Sequence, residues 1–186
     1  LRDEGGKGQT HLPHPKHQNS TGSHYKVPKT PLQLNAYLYP MQINCSIEIN
    51  KSRAEVLSLF QDRKQHHHWH QGLQNFKLLK GKDWEVGTQH HIPFKIGRTE
   101  FVLLETITHN NLPNSIQMQV DTLGKGINNT MLNKFTELDS GKTFYEVEVA
   151  YTFTSWPMKL MAKLMPGMFK KQVQKMLERF RTAVEN

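Results

Sequence analysis

The chain of 186 residues contains a single cysteine, Cys45, which excludes an intrachain disulfide framework and any metal site built from several thiolates. A lone thiol suits a reducing compartment, so a cytoplasmic protein is the expectation. Long apolar runs are also missing. Nothing approaches the roughly 20 apolar residues of a membrane-spanning helix, and no apolar stretch follows the basic residues near the start as a secretory leader requires. Matches to Asn-x-Ser/Thr at Asn19, Asn44 and Asn128 bear weight only in a secreted protein. There is no HExxH, nucleophile elbow, phosphate loop or dinucleotide fingerprint, the local patterns that hold zinc, an activated serine or phosphate groups. No cofactor and no metal are expected.

What the chain does contain divides near residue 40. From Leu1 to Pro40 it is rich in Gly, Pro, His, Ser, Asn and Lys, with no apolar periodicity before Pro31-Leu32-Gln33-Leu34. Such a segment buries too little apolar surface to offset its ordering entropy, and is expected to be disordered. It carries +3 of the net charge of +8, so the basicity is shared with the rest. A nucleic-acid-binding arm would pack Lys and Arg more densely, and no nucleic-acid partner is expected. The first methionine of the sequence is Met41, and part of the preceding segment is expected to be non-native.

Regular patterning starts at Met41. Ile43, Cys45, Ile47 and Ile49 alternate with polar residues, as in a half-buried strand. Asn50 or Ser52 then caps a helix whose apolar side is Ala54, Val56, Leu57, Leu59 and Phe60, ending near Asp62. A short helix or turn is expected over His66 to Gln71. Six strand-like segments follow, at 73–80, 88–96, 99–108, 115–123, 128–138 and 143–154, separated by short Gly, Asn, Asp and Pro breaks that imply an antiparallel meander. From Trp156 to Val184 the period becomes helical, with Pro166-Gly167 expected to kink or break the helix. An apolar sheet face needs a cover, and this helix is the only element large enough. The reading is therefore α+β: seven antiparallel strands curved around a long C-terminal helix, with two short helices after strand 1.

An Ile-x-Ile strand followed by Val56-x-x-Leu59-Phe60-x-Asp62 and Trp69-x-x-Gly72-Leu73 resembles the START-like superfamily, which includes polyketide cyclases and plant pollen allergens. Glu105-Thr-Ile-Thr, Asn111-Leu-Pro113, Met158-Lys-Leu-Met161 and Leu164-Met-Pro-Gly-Met-Phe-Lys-Lys171 look like a bacterial subgroup of it. The resemblance implies a helix-grip domain over 41–186 with a ligand cavity between sheet and helix. It supplies no catalytic residue, and the glycine-rich loop of the plant proteins is missing, since Gly81 to Gly87 holds only two glycines. Specific plant-type ligands are not expected.

Strand alternation places His90, Phe94, Phe101, Leu103, Glu105, Met118, Val120, Met131, Asn133, Phe135, Tyr145 and Val147 on the concave face, opposite Met161, Met165, Phe169 and Val173 of the helix. A few polar groups in an apolar lining suit a pocket that orients an apolar ligand, and equally an ordinary core. The methionines from Met158 to Met168 read as core filling or as an adaptable entrance, and with Lys159, Lys163, Lys170 and Lys171 allow transient contact with an anionic membrane. His66 and His70 share a helical face but lack an acidic third ligand, so a turn with Trp69 tucked inward is preferred to a metal site. Glu105 is the one catalytic candidate: desolvation on an apolar face favours its neutral form, with His90 or Tyr145 as partner.

The leading expectation is binding or carriage of a lipid, isoprenoid, quinone or aromatic compound. A cyclase-type or aromatase-type enzyme using Glu105, and an interaction module similar to chaperone activators, are the alternatives. Oligomeric state has no signature in the sequence.

Overall fold

The computed structural model describes residues 41–186. The readings made of residues 1–40, the disordered basic segment included, lie outside the described residues. β1 (Met41–Ile49) buries Ile43, Cys45, Ile47 and Ile49 and exposes the intervening polar residues. Ser52, rather than Asn50, caps α1 (Arg53–Gln61): its hydroxyl accepts from the Glu55 N–H while the Glu55 carboxylate accepts from the Ser52 N–H. The short second helix starts earlier than expected, as a 3-10 helix over Arg63–His68, because the Asp62 carboxylate accepts from the Lys64 N–H at 3.0 Å and begins a new turn there. Trp69 is 3% exposed, so it does tuck inward. Gly72 closes the turn at φ +84, where an added Cβ would stand 2.6 Å from the Lys95 carbonyl oxygen, so backbone angle and space both require glycine.

The remaining strands are β2 (Lys77–Lys80), β3 (Gln89–Ile96), β4 (Thr99–Asn111), β5 (Ser115–Thr122), β6 (Ile127–Glu137) and β7 (Thr143–Phe153). They form one sheet of seven in the order β1-β7-β6-β5-β4-β3-β2, with every pairing antiparallel. β2 corrects the expected strand over 73–80. Gln74 still donates to the Pro93 carbonyl at 3.0 Å, but Pro93 has no N–H to return, so the ladder opposite it is broken and only an isolated bridge joins Leu73 to Phe94. The helical segment splits at the proline, as anticipated, into α2 (Trp156–Leu164) and α3 (Pro166–Glu185).

α3 lays Phe169, Val173, Leu177 and Phe180 against β1 and the inner face of the sheet, forming one core with Val56, Leu57 and Phe60 of α1. An aromatic nest fills one end. Phe180 stands 4.9 Å from Trp69, 5.3 Å from Tyr145 and 6.2 Å from Phe60, and Phe135 stacks on Tyr145 at 4.7 Å, all between ring centroids. This is the helix-grip arrangement. Among the described residues, no helix is long and apolar enough to cross a membrane.

Candidate functional site

Register decides which side chains share the inner face. The pairs Phe94–Phe101, Ile92–Leu103 and His90–Glu105 join β3 to β4. Glu105–Val120 and Ile107–Met118 join β4 to β5, and Met118–Met131 and Ile116–Asn133 join β5 to β6. Asn133–Val147 and Phe135–Tyr145 then reach β7, so all the strand residues anticipated for the concave face lie on one side of the sheet. Their burial is uneven. Phe135, Tyr145, Val147, Met118, Val120 and Asn133 are buried, with Phe169 and Val173 of α3 above the sheet. Phe94, Phe101, Leu103 and Met131 are only half-buried, as are Tyr151 and Ile127 nearby. Met161 and Met158 pack against the core, whereas Met165, at the break between α2 and α3, is 54% exposed. The grip is thus sealed around Phe180 and around Phe153 and Phe169, while Phe94, Phe101, Leu103 and Met131 are only partly covered.

Three buried polar atoms on this face, His90 Nδ1, Asn133 Nδ2 and Asn129 Oδ1, have no hydrogen-bond partner in the protein. The Tyr145 hydroxyl donates to Asn133 Oδ1 at 2.8 Å, so it pairs with Asn133 and not with Glu105 as anticipated. This leaves Asn133 Nδ2 unbonded, and four residues earlier on the same strand Asn129 Oδ1 is likewise buried and unbonded. Burial alone pushes the Tyr145 phenol well above its usual range, and burial with the nearby Cys45 raises that of Tyr151 to about 12.

Glu105 sits where alternation placed it, 7% exposed, but in company that no strand pattern revealed. Arg63, from the 3-10 helix, donates through Nη2 to Glu105 Oε1 at 2.8 Å. His90 Nε2–H donates to Asp83 Oδ1 at 2.6 Å, while its Nδ1 stands 3.5 Å from Glu105 Oε1, a long contact that is mainly electrostatic. The guanidinium carbon lies 4.0 Å from the ring centroid of Trp84 and 4.6 Å from that of Phe76, so the cation is held between two aromatic rings. Desolvation works against the Glu105 charge, yet the His90 ring and the Arg63 guanidinium outweigh it and hold the carboxyl at about 2. The expected preference for the neutral acid is therefore reversed: Glu105 is an ionised, compensated carboxylate. The missed partners, Arg63 and Asp83, lie outside the strands; the only signal for them was a lone arginine after α1 and an acid in the β2–β3 connection.

His66 is 3% exposed and donates through Nε2–H to the Phe60 carbonyl at 2.7 Å, with Nδ1 unpartnered. Burial, assisted by His70 and Arg63, pushes its pKa down to about 3. His70 stacks against it at 5.7 Å between ring centroids. Among the described residues, no group of three or more His, Cys, Asp or Glu converges as a metal site does.

Two clefts open on the surface of the molecule. One of about 560 Å³ opens between Arg53, Asn114 and the end of β6; the other, about 690 Å³, opens between Gln65, His68 and the C-terminal turns of α3. Both are open surface grooves.

No protein-family model matches the chain, and no curated protein does so either. Solved structures do. A conserved protein from Geobacillus kaustophilus superposes with a TM-score of 0.65 at 15% identity, over 77% of this chain and 94% of that one. Ara h 8.0201 gives 0.59 at 10% identity, over 78% and 97%. A point mutant of Thalictrum flavum norcoclaurine synthase, in complex with a transition-state analogue, gives 0.58 at 12% identity, over 79% and 95%. At such identities the likeness defines the fold alone, and that fold is the helix grip described above.

Proposed function

We propose that the protein binds a small apolar molecule, of the lipid, isoprenoid, quinone or aromatic kind, at the half-buried part of the grip's inner face. The carrying observation is the asymmetry of the inner face. Tyr145, Phe135 and Val147 are sealed, whereas Leu103, Met131 and Tyr151 stay half-buried, and α2 is a helix with no buried residue of its own. A ligand there replaces water on apolar surface that the fold leaves incompletely covered. The unpartnered Asn129 amide oxygen offers one point at which a polar group of the ligand is held. An acid catalyst at Glu105 lacks support, since a carboxyl held at about 2 carries no proton near neutrality.

Titration with a fluorescent fatty acid, alongside native mass spectrometry of the freshly purified protein, tests this. Saturable binding is expected for the native protein. Leu103→Arg and Met131→Arg, both at half-buried positions, are expected to weaken it by roughly tenfold or more while the cooperative melt is retained. No saturable binding, or binding indifferent to both substitutions, would refute the site.

A further inference from the structure

We propose that the surface formed by α2, the start of α3 and the neighbouring strand turns docks on the face of an anionic lipid bilayer. α2 is nine residues long and none is buried. Trp156, Leu160 and Leu164 recur every four residues and are 73%, 41% and 70% exposed, and Met165 and Met168 continue the stripe at 54% and 39%. A helix whose apolar stripe faces outward while Met158 and Met161 lean inward has surface left for something apolar.

Charge identifies the occupant. Between Glu148 and Glu178 the chain has no carboxylate, and in that interval lie Lys159, Lys163, Lys170, Lys171 and Lys175. None of the five takes part in an ion pair among the described residues. An acidic surface would meet only opposite charge along this segment, and no carboxylate to repel it. Apolar side chains flanked by unpaired lysines on a helix are the pattern of interfacial binding to anionic lipid.

The sheet extends the same surface. Thr154 donates to the Gly126 carbonyl at 2.9 Å, and Gly126 is held at φ +67 with Ser155 so close that a Cβ would clash at 2.9 Å. This seats the β5–β6 turn, with Leu123 46% exposed and Lys125 beside it, against the start of α2. Leu123 in turn donates to the Val102 carbonyl at 2.9 Å, near the β3–β4 turn, where Ile96 is 42% exposed and followed by Arg98. The nearby acid, Glu100, is paired with Lys95 at 2.8 Å. Exposed apolar and basic residues of α2 and of the β5–β6 turn therefore lie side by side. The proposal does not depend on the ligand reading.

The test is co-sedimentation of the native protein with phosphatidylcholine vesicles, with and without phosphatidylserine, over a range of salt. Binding is expected only with phosphatidylserine, falling as salt rises, with a blue shift of fluorescence that Trp156→Phe abolishes. Lys159→Gln combined with Lys163→Gln should weaken binding roughly fivefold per lysine removed. Leu160→Ser with Leu164→Ser should remove it while the melting temperature stays at the native value, because these side chains are exposed. Absence of binding, or equal binding to both vesicle types, overturns the proposal. So does dimerisation in vesicle-free solution that the leucine substitutions abolish, which would assign the stripe to a second copy.

Discussion

Replacing Arg63 with Met probes the buried charge cluster directly. The guanidinium and the Glu105 carboxylate are 2.8 Å apart, with side chains only 11% and 9% exposed. Removing the cation leaves a carboxylate desolvated beneath β3 to β5, and breaking such a pair from one side typically costs about 3–5 kcal/mol. Glu105→Leu removes the other partner but leaves the guanidinium between Phe76 and Trp84, with Asp83 4.0 Å from Nε, so a cost nearer 2–3 kcal/mol is expected. The double variant has neither orphan and should lie within about 2 kcal/mol of the native protein, a coupling on the order of 3 kcal/mol by urea denaturation near neutral pH.

The sign with pH follows from the same geometry. In the native protein the folded-state pKa of Glu105 lies below its unfolded value, so its stabilisation is present above about 4.5 and is lost as pH falls toward about 2. In Arg63→Met burial acts with the cation gone, which raises the folded-state pKa. The penalty relative to the double variant is then present above that raised value and fades as pH falls through it. Additive single-variant effects near neutrality, or a gap that does not narrow on acidification, would refute the reasoning.

Two further outcomes bear on the rest of the fold. His66 is neutral when folded, its pKa lowered from 6.5 to about 3, so the stability it contributes is complete above 6.5 and lost as pH falls toward 3, by up to roughly 4 kcal/mol; His66→Gln should flatten stability against pH between 6.5 and 4 relative to the native curve, and parallel curves would disprove this. Phe180→Ala should cost about 3–5 kcal/mol because its ring, 1% exposed, closes the aromatic nest, whereas Trp156→Ala, at a 73% exposed position, should stay within about 0.5 kcal/mol; similar denaturation midpoints for the two would mean that the core has been assigned to the wrong helix.

Much of the architecture was legible because it rests on local rules. The β1 alternation, the turn residues between strands and the proline at 166 each specify their element without distant partners, and strand alternation placed the concave-face residues on one side of the sheet. What escaped was set by other elements. The strand beginning at Leu73 reads well by itself but is interrupted because the residue opposite, Pro93, has no N–H to give. Glu105 reads as a lone acid in an apolar strand. Its charge state is decided by Arg63, 42 residues away in sequence, and by a histidine on the neighbouring strand.

The same limit explains why the extent of the ligand space was not legible. Alternation reports which side chains face inward, but the space above them depends on how far the covering helix stands off. α3 closes on the sheet where Phe180 and Leu177 meet Tyr145 and Trp69, and those large, fully buried side chains leave the inner face no room. Toward its start the helix is interrupted at Pro166, and the separate piece, α2, buries none of its own residues, while Leu103, Met131 and Tyr151 on the inner face stay half-buried. Identical strand patterns therefore give sealed core at some positions and half-covered surface at others. The element that decides between them is the helix break, whose position was visible in the sequence but whose effect on the spacing above the sheet depends on packing across the whole fold.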